Sequence, residues 1–230
     1  MRTVIIPAKK KSKRIPHKNL QLLGDMTLIE RCIVKMLLCK NIDRIVVDTD
    51  SDEILNLCES HSMRDSRLVA RSRSVELLGD DVGTPQLCVS LLEHHADITF
   101  LGIMHSTAPF LKAGTIDKCM ETFVSAKDEY DSLFTVEPLN DYLWKDKPLN
   151  FNVDCRTSTD NVELYYKLTG GFFVSTRQFI LDNKTFIGKN PLIYPVPVLE
   201  SLDINYPDEL ELARLIQEGM TAHGKTEMGM

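Results

Sequence analysis

Several features that would settle the class of this chain at once are missing from it. No apolar run approaches the roughly 18 consecutive residues that a membrane-spanning helix needs. The opening VIIPA is too short for the apolar region of a signal peptide, and lysines follow it at once. The six cysteines (Cys32, Cys39, Cys58, Cys88, Cys119, Cys155) contain no CxxC pair. Four of them fall in apolar helical contexts, so they read as reduced core thiols of a cytosolic or nuclear protein, not as a zinc site or a disulfide frame. There is a single tryptophan, no internal repeat and no low-complexity tract. Positive charge is also in deficit: 27 Lys and Arg against 33 Asp and Glu leave a net −6, which argues against general nucleic-acid binding. The expectation is a cytoplasmic protein with neither a membrane nor a nucleic acid as partner.

Against that acidic background one stretch stands out. In VIIPAKKKSKRIPHKN, residues 4–19, an apolar strand is followed by six cations within ten positions: Lys9, Lys10, Lys11, Lys13, Arg14 and Lys18. Opposite charges about 4 Å apart near a protein surface attract by roughly 4 kcal/mol before desolvation. Such a loop is suited to hold a polyanion such as a triphosphate. The run KKKSKR also reads as a solvated charge cluster or a nuclear-import signal, and those readings stay open here.

The length of 230 residues, with 43% hydrophobic and 26% charged residues, fits one globular α/β domain. Strand and helix patterns alternate along it. Thr3–Ala8 is a continuous apolar run, as in a strand buried on both faces. Strands are also expected at Arg44–Thr49, Arg67–Arg71, Ile98–Met104, Ser132–Glu137, Gly171–Ser175 and Ile193–Val198. Helical spacing marks Thr27–Lys40, Asp52–Ser60, Thr84–His95, Thr115–Ala126 and Pro207–Glu218. The alternation implies βαβ units and a mostly parallel, Rossmann-like sheet. One domain is expected over residues 1–220, with a disordered tail over 221–230. Residues 138–169 break the rhythm with a polar stretch holding Trp144, and long irregular excursions are usually functional or interfacial.

Open α/β sheets bind ligands beyond the carboxyl ends of their strands. There the chain carries the basic loop, then Asp48-Thr49-Asp50-Ser51-Asp52, Arg71 and Arg73, and His105-Ser106-Thr107-Ala108-Pro109. Each has a plainer explanation as well. Asp52 suits a helix cap, Arg73 a surface pair with Glu76, and residues 107–109 an ordinary turn. Asp203 and Asn205, if extended, put both side chains on one face, and oxygen donors of that kind suit Mg²⁺ together with substrate phosphates. They suit the cap of a helix starting near Pro207 equally.

In serial order, VIIPAKKKSKRIPHKN, VVDTDSDEI, RSRSVELLGDDVGT, MHSTAPFL, DSLFTV, TGGFFV and SLDINYPDELELA resemble the motifs of the acylneuraminate cytidylyltransferases. The resemblance covers about residues 3–218. It implies a single-domain α/β nucleotidyltransferase that transfers CMP from CTP to the anomeric hydroxyl of a nonulosonic acid (an acidic nine-carbon sugar), releasing pyrophosphate with Mg²⁺. It further implies a homodimer built through an inserted excursion at 139–170. Lys9, Ser12, Lys13 and Lys18 would meet the CTP phosphates and Asn19 the nucleotide, with Arg73 and Thr84 near the base. His105, Thr107, Lys145 and Gly170 would face the sugar acid, and Asp203 and Asn205 the metal.

The chain departs from the family pattern in three places. Lys9 and Lys11 stand where relatives have Arg and a small or polar residue, so the planar fork of Arg and the backbone freedom of Gly are both lost. Asn205 replaces an aspartate and removes one negative charge. His105 stands where relatives commonly have Gln; as a general base it would take the hydroxyl proton, although phosphoryl transfer depends mainly on positioning and charge neutralisation. Two further readings remain: a cytidylyltransferase for another acidic 2-keto sugar, such as the eight-carbon sugar acid of lipopolysaccharide, and a nucleotide-binding homologue without turnover.

Overall fold

A computed structural model describes residues 1–79, 81–155 and 158–224. The first apolar run forms β1 (Arg2–Ala8), an interior strand of a seven-stranded sheet. After it come a short hairpin, β2 (Leu22–Leu23) and β3 (Met26–Thr27), and helix α1 (Leu28–Leu38). The chain continues through β4 (Arg44–Thr49), α2 (Asp52–Ser62), β5 (Leu68–Ser72), α3 (Thr84–His94), β6 (Phe100–Met104) and α4 (Ala113–Ala126). It closes with β7 (Ser132–Leu139), β8 (Tyr165–Thr176), α5 (Arg177–Asn183), β9 (Pro191–Pro195) and α6 (Pro207–Ala222).

The strand order is β5-β4-β1-β6-β8-β7-β9, parallel throughout except for β8, which runs antiparallel to both its neighbours. This is the mostly parallel α/β sheet the alternation implied. Period-two alternation divides β1 between two cores. Val4, Ile6 and Ala8 face the layer of α1, α2 and α4, while Ile5 faces α3 and α5. The chain reverses its winding direction between β4 and β6, on either side of β1, so a crevice opens at the carboxyl ends of β1 and β6.

A third, smaller core joins Ile15, Leu23, Leu28, Phe110, Ile204, Leu210 and Ala213. It pins the basic loop, through Ile15, to the segment leading into α6. Five of the six cysteines are buried as expected; Cys155, on the excursion, is exposed and corrects the reading of all six as core thiols.

The excursion is shorter than the sequence suggested. β7 and β8 continue as a ladder, Val136–Leu139 against Tyr165–Leu168, so the irregular part lies between residues 140 and 164. That ladder reaches past the core and exposes Tyr166, Lys167 and Leu168. Past the buried Val136 none of its residues is fully buried, so no core-facing pattern marks it. The seven-residue α5 and the hairpin around Gly24, at φ +63°, were also unread from the sequence. The final helix runs to Ala222, into the stretch expected to be a tail; residues 225–230, where the rest of that expectation falls, lie outside the described residues, as do Arg156 and Thr157. No helix among the described residues is long and apolar enough to cross a membrane.

Candidate functional site

A cleft of about 470 Å³ lies at the crevice between the ends of β1 and β6. Its lining includes Lys9, Ser12, Lys13, Lys18 and Asn19 from the first loop, and Arg73 and Thr84 from the second wall. His105, Thr107, Gly170, Asp203 and Asn205 complete the opposite wall. Twelve of the thirteen residues singled out from sequence therefore meet in one place. The exception is Lys145, which is exposed on the excursion and does not line the cleft. Five cationic side chains, with Lys11 the fifth beside Lys9, Lys13, Lys18 and Arg73, face a single carboxylate, Asp203. The run KKKSKR thus forms a wall of the cleft.

The loop owes its shape to bonds across the fold. Lys10 N donates to Asp50 Oδ1 at 2.6 Å, and Thr49 Oγ1 donates to Ala8 O at 2.6 Å. Asn19 donates from Nδ2 to Lys9 O at 2.8 Å and accepts from Ser106 Oγ at 2.7 Å. Its amide is therefore a clamp between the loop and the β6 turn. Among the described residues, the non-glycine residues at positive φ are His17 and Lys184, so Lys11 replaces a smaller residue without a left-handed backbone.

On the opposite wall, β8 carries a wide bulge. Phe134 and Val136 of β7 pair with Phe173 and Leu168, so three extra residues are accommodated on β8. Thr169 and Thr135 hold the bulge through their hydroxyls at 2.6 Å, and Phe172 N donates to Thr135 Oγ1 at 3.1 Å. Bulges re-aim side chains at functional edges, and here Gly170 is pushed against Asp203. A Cβ on Gly170 would stand 2.7 Å from Asp203 Cγ, closer than real contacts allow.

The Gly170 carbonyl also accepts from His105 Nδ1 at 2.8 Å. A carbonyl can only accept, so Nδ1 carries the proton, and in the neutral ring Nε2 is the bare nitrogen. Burial pushes the His105 pKa below its ordinary value; the Gly170 bond and Asp203 pull it up, and Lys18 adds to the lowering.

Asp203, Ile204 and Asn205 run extended past the turn after β6, with Ile204 N donating to Thr107 O at 2.8 Å. Lys18 Nζ donates to Ile204 O at 3.0 Å, and its pKa is lowered, by burial first, against the opposing pull of Asp203. Asn205 Nδ2 donates to Asp203 Oδ2 at 2.7 Å, and its Oδ1 accepts from Arg14 at 3.0 Å. The cap of α6 is a different carboxylate. Glu209 Oε2 accepts from Tyr206 N at 2.8 Å and from Asn205 N, so neither Asp203 nor Asn205 is used as the cap.

Asp203 Oδ1 is buried with no hydrogen-bond partner. An orphaned carboxylate oxygen on the wall of a cationic cleft fits a divalent cation shared with a ligand's phosphates. The described residues hold no group of three or more His, Cys, Asp or Glu that would bind a metal unaided. Asn205 steadies Asp203 through Nδ2, and its Oδ1, which accepts from Arg14, keeps a second lone pair.

Arg73 lies only 5% exposed and is held by Asp48, with Nε to Oδ1 at 2.6 Å and a second bond to the Asp48 carbonyl at 3.0 Å. The plainer alternative, a surface pair with Glu76, gives way to this buried pair with Asp48. Ser106 and Arg14 were named from the sequence only as members of their segments, with no role of their own. The one signal for Ser106 was its place beside His105 at a strand end.

Three comparisons bear on this geometry. A family model described as Cytidylyltransferase matches residues 3–194. The N-acylneuraminate cytidylyltransferase of Escherichia coli O18:K1:H7 is 27% identical over 221 residues, covering 93% of this chain and 51% of that protein. The CMP-N,N'-diacetyllegionaminic acid synthase of Legionella pneumophila is 29% identical, covering 93% and 95%. The chain thus spans about half of the first relative and nearly all of the second. Among solved structures, a CMP:2-keto-3-deoxy-manno-octonic acid synthetase complexed with CTP superposes at TM-score 0.69 with 11% identity, covering 95% of this chain and 99% of that one.

Proposed function

The chain belongs to the cytidylyltransferase family, and from that premise we propose that it transfers CMP from CTP to the anomeric hydroxyl of a nonulosonic acid, releasing pyrophosphate. The observation that carries this reading is the convergence of five cations and one orphaned carboxylate oxygen on one cleft. The relatives named for acylneuraminic and legionaminic acids support a nine-carbon acid. Relatives named for 3-deoxy-manno-octulosonate, at 24% identity, keep the eight-carbon acid as the second reading.

In this reaction the sugar hydroxyl attacks the α-phosphorus of CTP in line. An O–P bond forms, the bond from the α-phosphorus to the bridging oxygen breaks, and pyrophosphate leaves with its electron pair. Lys9, Lys13 and Lys18, with Ser12, bind the phosphates and neutralise the charge that develops on them. Asn19 acts on the nucleotide indirectly, by holding the loop to Ser106. Arg73, immobilised by Asp48, and Thr84, at the start of α3, take the base. The hydroxyl proton passes to His105 Nε2, a neutral acceptor on this wall, while Thr107 and Gly170 shape the sugar pocket. Asp203 would hold Mg²⁺ through Oδ1, with Asn205 as its support; the ion supplies charge neutralisation at the phosphates.

The excursion exposes Trp144, Leu149, Val153 and Leu164, and the ladder below it exposes Tyr166 and Leu168. We assign this apolar surface to a homodimer interface, the one setting in which Lys145 meets a sugar acid. Thermal-shift titration with CTP, UTP, ATP and GTP tests the nucleotide assignment. CTP should stabilise most, because a base-reading pocket leaves groups unpaired against the wrong edge, at about 1–3 kcal/mol each. Equal stabilisation by all four would contradict a cytosine pocket.

A further inference from the structure

Beneath the turn that lines the cleft lies a charge that the chemistry above does not use. Lys35 occupies the core-facing side of α1 and is 6% exposed. Its ammonium donates to Ala108 O and to Pro109 O, each at 2.8 Å. The ionisable groups facing it are Arg31, Cys32 and Cys39 from α1 and its end, and Glu200 from the segment after β9; Lys112 lines the same crevice.

Burying an ammonium costs several kcal/mol per ion, and a methionine of similar shape would fill this helix position without that cost. What the ammonium supplies is donors for two inward-facing carbonyls at the end of the 105–109 turn. That turn is where the walls of the cleft join. Ser106 holds Asn19 at 2.7 Å, and Thr107 O accepts from Ile204 N at 2.8 Å. Ile204 O in turn accepts from Lys18, and Asp203 is its chain neighbour.

We propose that Lys35 is a positioning residue for this cleft: its buried ammonium fixes the 105–109 turn and, through Thr107 and Ile204, sets where Asp203 and Lys18 stand. The kinetic consequences rest on the nucleotidyl-transfer reading; the structural ones do not. Desolvation pushes the Lys35 pKa down to about 8, with Cys32 and Glu200 opposing and Arg31 adding to the fall. The unfolded chain keeps this proton to about 10.5. Between those values the unfolded state binds more protons, so this group makes the fold more stable as the pH rises. Order in the cleft should therefore fall through pH 8 while global stability does not, a divergence that a lysine serving only the fold would not produce.

The test uses the full-length protein with Lys35→Met, which removes both donors, and Lys35→Gln, which keeps an amide donor. Amide hydrogen exchange is read over residues 104–111 and 202–206, beside melting temperature and the kinetics of pyrophosphate release. In K35M, exchange should quicken in both segments, and kcat should fall on the order of 100-fold, the scale of a misplacement of about 1 Å. The KM for CTP should change by less than kcat does, since Arg73 is held by Asp48 and Thr84 by α3, neither of them by this turn. K35Q should recover part of both effects whatever its melting temperature. The wild-type alkaline limb near pH 8 should shrink in K35M, leaving only what Lys18 contributes.

Unchanged exchange at 202–206 in K35M, or kcat losses that simply follow melting temperature, would overturn the proposal. If K35M does not fold, the wild type decides: exchange in both segments must rise above pH 8 relative to the central strands, and its failure to do so overturns the proposal equally. Should the wild type release no pyrophosphate with any sugar acid, the functional reading fails while the exchange data still decide the role of Lys35.

Discussion

At the residue scale, Asn205 is where this chain differs most instructively from a two-carboxylate metal site. Its amide donates to Asp203 and accepts from Arg14, so it steadies one carboxylate where a second would repel it. Asn205→Asp should lower stability without metal by about 1 kcal/mol, because a hydrogen bond to a charge is lost and Arg14 only partly compensates. For a chain of this length that is roughly 2–4 °C in Tm. Mg²⁺ should then raise the Tm of the variant by more than that of the wild type, and equal Mg²⁺ shifts in paired melts would contradict the role of this pair in holding a cation. Asp203→Ala should remove metal-dependent activity while the fold is kept, at a Tm cost no larger than that of Asn205→Asp, since Oδ2 loses only the Asn205 bond and Oδ1 bonds to nothing in the fold.

His105 gives a pH prediction. Its folded pKa lies below the ordinary 6.5, chiefly through burial, with Asp203 and Lys18 as the charges facing it. Below pH 6.5 the unfolded chain takes a proton that the folded chain resists. Stability should therefore fall on acidification, by at most about 1.4 kcal/mol per pH unit for one proton. Activity should fall at still lower pH, as Nε2 is protonated. His105→Gln should flatten both acid limbs, measured as Tm and kcat between pH 5 and 7; retention of the wild-type slopes would place the titration elsewhere.

At the element scale, the β8 bulge is the device that builds the cleft wall opposite the basic loop. Gly170→Ala must displace the Asp203 carboxylate, because the added Cβ has no other room. We expect a fall in kcat on the order of 100-fold, with folding retained because neither Gly170 nor Asp203 belongs to a core cluster. Near-normal kcat in a folded G170A would show that Asp203 can move freely. The sequence revealed the strand at 171–175 but not the bulge, nor the ladder extending from it. Val174 and Phe172 are buried in the core, whereas Tyr166 and Leu168, although apolar, lie exposed beyond it. Elements with a buried face were legible from periodicity; those without one had to be seen. The clamp between Asn19 and Ser106 was equally invisible, joining residues 87 positions apart.

At the scale of the molecule, the order of the strands turns scattered residues into one site. The basic loop follows β1, Arg73 follows β5, His105 follows β6 and Gly170 sits in β8, and the sheet brings all four to one crevice. This much was legible in the sequence, because charge at the ends of apolar strands marks the ligand side of a parallel sheet. Lys145 was not placed by that logic, since the excursion carries no periodic face to dock it on the domain. If the exposed surface from Trp144 to Leu168 is a dimer interface, the protein should sediment as a dimer, and Trp144→Glu should shift it toward monomer. A wild-type monomer at micromolar concentration would contradict that assignment.

The central claim is that this cleft joins CMP to an acidic 2-keto sugar. It is tested most directly by pyrophosphate release from CTP and Mg²⁺ with a panel of nine-carbon and eight-carbon sugar acids, run beside Lys13→Ala. Lys13 lines the cleft from an exposed loop, so its removal should abolish turnover without unfolding the domain. The account predicts release that requires CTP and a nine-carbon acid and disappears in K13A. No release with any acid, or equal release in K13A, would contradict it.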